Sequence, residues 1–64
     1  EVMRKLQRGG FSFTNTKGSH HFFHNIATNR TTCVPIHGGK DIGRNLLSKI
    51  IKQTGLSVKE FNNL

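Results

Sequence analysis

The first part of the chain changes from a helical to an alternating pattern of apolar side chains. Apolar residues recur at helical spacing in the opening segment, at Val2, Met3 and Leu6. The pair Gly9-Gly10 follows, so we predict a short amphipathic helix that ends there. Phe11 and Phe13 then alternate with polar residues, which is the period of a half-buried strand.

Two further strands are predicted downstream. Residues 19–26 are rich in aromatic side chains and histidine and have no helical spacing, which favours the second strand of a hairpin whose turn contains Lys17 and Gly18. Residues 31–36, TTCVPI, have the β-branched content of a third strand. Because Pro35 lacks the N–H that an interior strand needs, this strand must lie at an edge of the sheet or end there.

The second half of the chain has the pattern of a core helix. Its apolar residues recur on one helical face, at Ile42, Leu46, Leu47, Ile50 and Ile51. Gly55 is placed to cap this helix. Ser57 and Glu60 have the S-x-x-E spacing of a capping box, so a last helical turn should bring Val58 and Phe61 to the core.

These elements predict an α+β fold of the order αβββα followed by a final turn. The strands would form a three-stranded antiparallel sheet with the helices on one face. We expect residues 1–64 to form a single domain. Since the chain begins with Glu1 rather than methionine, we also expect a few native residues to precede it.

Size and charge restrict the setting and the partners. A domain of 64 residues buries only about 60% of its unfolded surface and has a small core. The formal charge of +7 exceeds what solubility requires and favours an anionic partner such as nucleic acid. No apolar stretch is long enough to cross a bilayer, and a single cysteine cannot form an intramolecular disulfide. A reducing cytoplasmic location and no membrane association are the resulting expectations.

Three of the four histidines fall within residues 17–25, KGSHHFFHN, which raises the question of a metal site. Ligands of one zinc must bring their donor atoms within a few Å of each other. In a strand, His20 and His24 lie roughly 13 Å apart, and the neighbours His20 and His21 point to opposite faces. We therefore expect no metal and no other cofactor.

His20 differs from the other histidines in its position. It follows Gly18, which allows close approach of another backbone, and Ser19, which can position a phosphate oxygen. An imidazole there, on a basic surface, could take the proton of an RNA 2′-hydroxyl. His21 and His24 are expected to be partly buried, each satisfied by a hydrogen bond.

A second group of residues could bind an anion. The stretch 35–41, PIHGGKD, predicts a strand end, a glycine turn and a helix start, where backbone N–H groups and Lys40 could converge on phosphate. Lys17 is a weaker candidate for the same role. The alternative is a tight turn that merely requires glycine. Cys33 has no partner at a spacing typical of a nucleophile and is interpreted as a packed side chain.

Three segments, GGFSFTNTKGSHHFFHN, CVPIHGGKDI and IIKQTGLSVKEF, together resemble the HicA toxins, small messenger-RNA interferases of toxin–antitoxin pairs. The most specific motifs are G-S-H-H from Gly18, V-P-x-H-x-x-K from Val34 and K-Q-x-G-L-S from Lys52. The resemblance implies a fold like the double-stranded-RNA-binding domain and metal-independent cleavage of messenger RNA with His20 as the catalytic residue. It also implies a HicB-type antitoxin as partner and arrest of translation as the effect.

The residues themselves leave a second function open. In a non-catalytic RNA-binding module of the same fold, lysines on the long helix and at its N-terminus would hold phosphates by shape, without cutting. The two hypotheses differ in one observable, which is cleavage of RNA when metal ions are chelated.

Overall fold

A computed structural model of the protein describes residues 2–36 and 42–64. The elements in these two ranges are α1 (Val2–Arg8), β1 (Ser12–Lys17), β2 (His20–Asn25), β3 (Arg30–Pro35), α2 (Arg44–Thr54) and α3 (Val58–Asn62). This order confirms the predicted α+β class and the αβββα arrangement with a final helical turn. No helix in the described ranges has the length and apolar character that a membrane span requires.

The strands form one antiparallel sheet in the order β1-β2-β3, so β3 lies at an edge, as Pro35 predicted. The N–H of Ile36 donates to the carbonyl of Ser19 at 2.8 Å. Successive N–H groups of a strand point to opposite sides, so the nitrogen of Pro35 faces away from β2, where no donor is needed.

A β-bulge in β1 changes which face its side chains occupy. Phe13 pairs with Phe23, but the next pair is Asn15 with Phe22, so Thr14 is an extra residue. The hydroxyl of Thr14 donates to the carbonyl of Phe22 at 3.2 Å. Alternation alone would place Phe13 and Lys17 on one face; the extra residue moves Lys17 to the other face.

The sheet has a covered face and an open face. The covered face packs on the helices and includes the buried side chains Phe23, Thr32 and Val34 together with the partly buried His21. The open face holds partly or fully exposed side chains: Lys17, His20, Phe22, His24, Cys33 and Pro35. Strand β2 therefore presents its histidines to two different environments.

The core lies between the covered face and the helices. It is formed by side chains from five of the elements and from the α1–β1 connection: Leu6, Phe11, Phe23, Val34, Ile50, Ile51 and Phe61. Phe61 reaches the core as predicted, whereas the prediction for Val58 is wrong, since Val58 is 59% exposed.

A hydrogen bond also links the first helix to the last, because Lys5 Nζ in α1 donates to the carbonyl of Asn62 in α3 at 3.0 Å.

Helix α2 begins later than its apolar pattern suggested. Ile42 packs against the core but precedes the helix, which starts at Arg44 after Gly43. Gly43 offers no side-chain cap. At the other end, Gly55 has φ of 79° and its N–H bonds to the carbonyl of Lys52, which confirms the predicted glycine cap.

The capping box of α3 is also confirmed and makes a pH-dependent contribution to stability. Ser57 N–H donates to Glu60 Oε1 at 2.8 Å, and Glu60 N–H donates to Ser57 Oγ at 3.1 Å. These bonds lower the pKa of Glu60 below its usual value of 4.5, chiefly through the backbone bond from Ser57. The folded pKa is below the unfolded one, so this stabilisation is complete above the unfolded value and is lost as the pH falls through the folded value.

We expect Glu60→Gln to lower the unfolding temperature at pH 7 and to have little effect well below pH 4.5. Glutamine can still accept the Ser57 N–H bond but has no negative charge at the helix start. Thermal unfolding of both proteins across this pH range measures the difference. A gap of equal size at both ends of the range would show that the charge is not responsible.

Candidate active site

A tight hairpin turn sets the position of His20. Gly18 and Ser19 form the two-residue connection between β1 and β2. Gly18 has φ of +61°, whereas Ser19 is not in the positive-φ region, which matches a type II′ turn with glycine first. Such a turn preserves the twist of the flanking strands, so His20 begins β2 in a defined register.

His20 is exposed on the open face and has a direct partner on each neighbouring strand. It pairs with Lys17 of β1 on one side and with Pro35 of β3 on the other. Directly paired residues have Cβ atoms about 4.5–5.5 Å apart on the same face. The β-bulge thus places Lys17 directly opposite His20 on the same face, and the sheet unites two of the site residues predicted from the sequence.

Of the predicted phosphate-binding residues, the structure describes Lys17, Gly18 and Ser19. Gly18 forms the turn, and a Cβ added there would meet no atom within 4 Å, so the space above it is open. Ser19 has an exposed side chain, and its carbonyl accepts the hydrogen bond from the Ile36 N–H. Lys40 and the rest of the predicted 37–41 turn lie outside the described residues.

His21 and His24 occupy different surroundings from His20 and from each other. His24 is half-buried on the open face, where its Nδ1 lies 2.8 Å from Thr31 Oγ1. This confirms the predicted hydrogen bond. His21 is half-buried on the covered face, with its ring centroid 6.0 Å from that of Phe13. Its Nδ1 is buried without a hydrogen-bond partner in the described part of the chain, so the expected bond is not found at that atom.

A cleft runs from His20 to helix α2 and is lined in part by residues of α2 that the sequence did not place beside His20. It is lined by His20, Cys33, Pro35, Leu46, Lys49, Ile50 and Gln53. The side chain of Gln53 accepts a 2.8 Å hydrogen bond at Oε1 from the hydroxyl of Thr32. Leu46, Lys49 and Gln53 are spaced three and four residues apart, so they share a helix face, and this spacing was visible in the sequence.

The histidines and Cys33 do not gather into a metal site in the described residues. No group of three or more His, Cys, Asp or Glu side chains is arranged there to hold an ion. His20 and His24 occupy the first and fifth positions of β2, and His21 faces the helices. What the site offers is an imidazole, a lysine and a cleft.

Fold, charge and site together define a small basic α+β domain with an exposed histidine beside a cleft. Comparison with known families gives a match over residues 1–56 to the family described as the HicA toxin of bacterial toxin–antitoxin pairs. The chain belongs to this family. A protein of Pseudomonas fluorescens (strain Pf0-1) named "Probable mRNA interferase HicA" is 39% identical over 56 residues, which cover 88% of this chain and 90% of that protein.

Proposed function

We propose that this protein is an endoribonuclease that cleaves messenger RNA without a metal ion, as the toxin of a toxin–antitoxin pair. Family membership supports the toxin role, and the name of the Pseudomonas relative supports messenger RNA as substrate. The observation that carries the mechanism is the exposed position of His20, beside Lys17 and at the rim of a cleft.

In the proposed reaction, the imidazole of His20 takes the proton from a ribose 2′-hydroxyl. The 2′-oxygen then attacks the adjacent phosphorus, and the bond from phosphorus to the 5′-oxygen breaks. The 5′-oxygen receives a proton from the imidazolium or from water, which leaves a 2′,3′-cyclic phosphate and a 5′-hydroxyl. Since the 2′-hydroxyl is the nucleophile, DNA is not a substrate.

The remaining candidate residues would hold the phosphate. Lys17 supports this role by its place beside His20, because a cation there stabilises charge that develops on the phosphate oxygens. Gly18 supports close approach of the RNA backbone, since nothing fills the space above it. We assign Ser19 and Lys40 to the same role on their positions in the sequence: Ser19 precedes His20, and Lys40 follows the pair Gly38-Gly39.

A HicB-type antitoxin is the proposed protein partner. Family membership supports an antitoxin in general. An exposed catalytic histidine in a cell that needs its messenger RNA requires a partner that covers it. We therefore propose that the antitoxin binds over the open face near His20 and blocks RNA.

The test is incubation of the pure protein with single-stranded messenger RNA in excess chelator. We expect cleavage to continue at the rate seen without chelator, and the products to end in a 2′,3′-cyclic phosphate and a 5′-hydroxyl. The matched substrate is the same strand with 2′-deoxyribose throughout, which should bind and remain intact. Retention of RNA without any cleavage would instead favour a non-catalytic RNA-binding module, and loss of cleavage with chelator would contradict the metal-free mechanism.

A further inference from the structure

The cleft beside His20 has the size and the mainly apolar lining of a site for a small group. Its volume is about 170 Å³. Sites for drug-sized ligands have roughly 300–1,000 Å³, so this cleft holds a fragment such as one nucleobase rather than a whole nucleotide. The residues along its wall are uncharged and mainly apolar: Cys33, Pro35 and Leu46, with the buried Ile50 behind them.

The polar groups of the cleft match the parts of a nucleotide that surround its base. Gln53 is held by the bond from Thr32 to its Oε1, which leaves its amide N–H₂ to donate. Base edges carry oxygen and nitrogen acceptors for such a donor. Lys49 is exposed and supplies a cation for a phosphate, and His20 lines the same cleft.

We propose that this cleft binds one unstacked base of single-stranded RNA. The base lies against the apolar wall, the Gln53 amide donates to its edge, and Lys49 contacts the adjoining phosphate. The inference rests on the proposed function, because it places this base next to the phosphodiester that His20 acts on. Bases in a duplex are stacked and paired, so an RNA helix cannot fill the cleft.

Cys33 provides a direct probe, since it is the single cysteine of the chain and lies half-buried in the cleft wall. We would measure its alkylation by iodoacetamide with and without single-stranded 2′-O-methyl RNA of mixed sequence. This RNA lacks the free 2′-hydroxyl and cannot be cut by the proposed route. At an RNA concentration ten times Kd, we expect alkylation to slow about tenfold. The same strand annealed to its complement should give no protection.

A control shows whether protection is local. In a Cys33→Ala/Val58→Cys double variant, the cysteine lies on α3 at an exposed position outside the cleft. RNA should leave its alkylation rate unchanged. The base site is overturned if bound single-stranded RNA does not slow alkylation of Cys33. It is also overturned if RNA slows alkylation equally in the parent and in the double variant. A protein partner would then be the alternative occupant of the cleft.

A second arm tests Lys49 against Lys52, which lies three residues further along α2, is also exposed and does not line the cleft. We expect Lys49→Ala to weaken 2′-O-methyl RNA binding and the protection of Cys33, Lys49→Arg to restore both in part, and Lys52→Ala to leave the protection unchanged. Equal effects of the two alanine variants would contradict a role for Lys49. Both arms use RNA that cannot be cut, so the two proposals can fail separately. Protection of Cys33 without cleavage of unmodified RNA would refute only the nuclease. Cleavage of unmodified RNA without protection of Cys33 would refute only the base site.

Discussion

Replacing His20 with alanine is expected to reduce RNA cleavage by about 10²- to 10⁴-fold, which is the usual cost of losing a proton-transfer group. Binding of RNA should be almost unchanged, because the substitution leaves every lysine and arginine in place. Folding should also be retained, since His20 is exposed and substitutions at such positions usually change stability by no more than about 0.5 kcal/mol. Circular dichroism, an RNA-cleavage assay and growth of cells on induction measure the three properties.

The neighbouring histidines are the matched controls for this experiment. His21→Ala removes a half-buried ring that contacts Phe13, so we expect a loss of about 1 kcal/mol of stability. His24→Ala removes a ring bonded to Thr31 and should act in the same way. Both proteins, when folded, should cut RNA at close to the parent rate. A folded His20→Ala protein that cuts RNA as fast as the parent would disprove the mechanism.

Binding of RNA is expected to weaken steeply with salt. For a single strand, the logarithm of the binding constant falls by about 0.7 per logarithmic unit of salt for each neutralised phosphate. If the basic surface neutralises about five phosphates, affinity should fall about 100-fold between roughly 50 and 200 mM salt. Fluorescence anisotropy with 2′-O-methyl RNA gives the slope without interference from cleavage.

Single lysine substitutions then show which side chains contact phosphate. Lys17→Ala and Lys40→Ala should each lower the salt slope by about 0.7. Lys59→Ala, on the exposed surface of α3, removes the same charge and should leave the slope unchanged. An affinity that does not depend on salt would mean that phosphate contacts contribute little, and equal slopes for all three variants would mean that only net charge matters.

The order of elements could be predicted from the sequence because most of its signals are local. Helical spacing placed α1 and α2, alternation placed β1, and the caps at Gly55 and Ser57 depend on residues close in the chain. Pro35 identified an edge strand because the missing N–H is a property of the residue itself. Val58 was misplaced although it shares a helix face with Phe61: it is the first residue of α3, one turn before Phe61, and its side chain stays exposed while Phe61 reaches the core.

The site was predicted less completely because its geometry depends on contacts between distant segments. The sequence indicated His20 and Lys17, but alternation from Phe13 would turn Lys17 away from the open face. Only the bulge at Thr14 brings it beside His20, and a bulge depends on the pairing of two strands. The sequence assigned the lysines of the long helix to phosphate only in the non-catalytic alternative, and it did not indicate Gln53. The relation of α2 to the edge of β3 follows from packing, which helical spacing alone does not give.

The anchoring of β2 by Phe23 limits how the length of this chain can change in evolution. Phe23 is 2% exposed on the covered face, and His20 lies three positions earlier on the other face. Because side chains alternate along a strand, inserting or deleting one residue between them would turn the imidazole towards the helices while the core stayed in place. The exposed loop at residues 26–29 is under no such constraint, so length variation among relatives should accumulate there and not within β2.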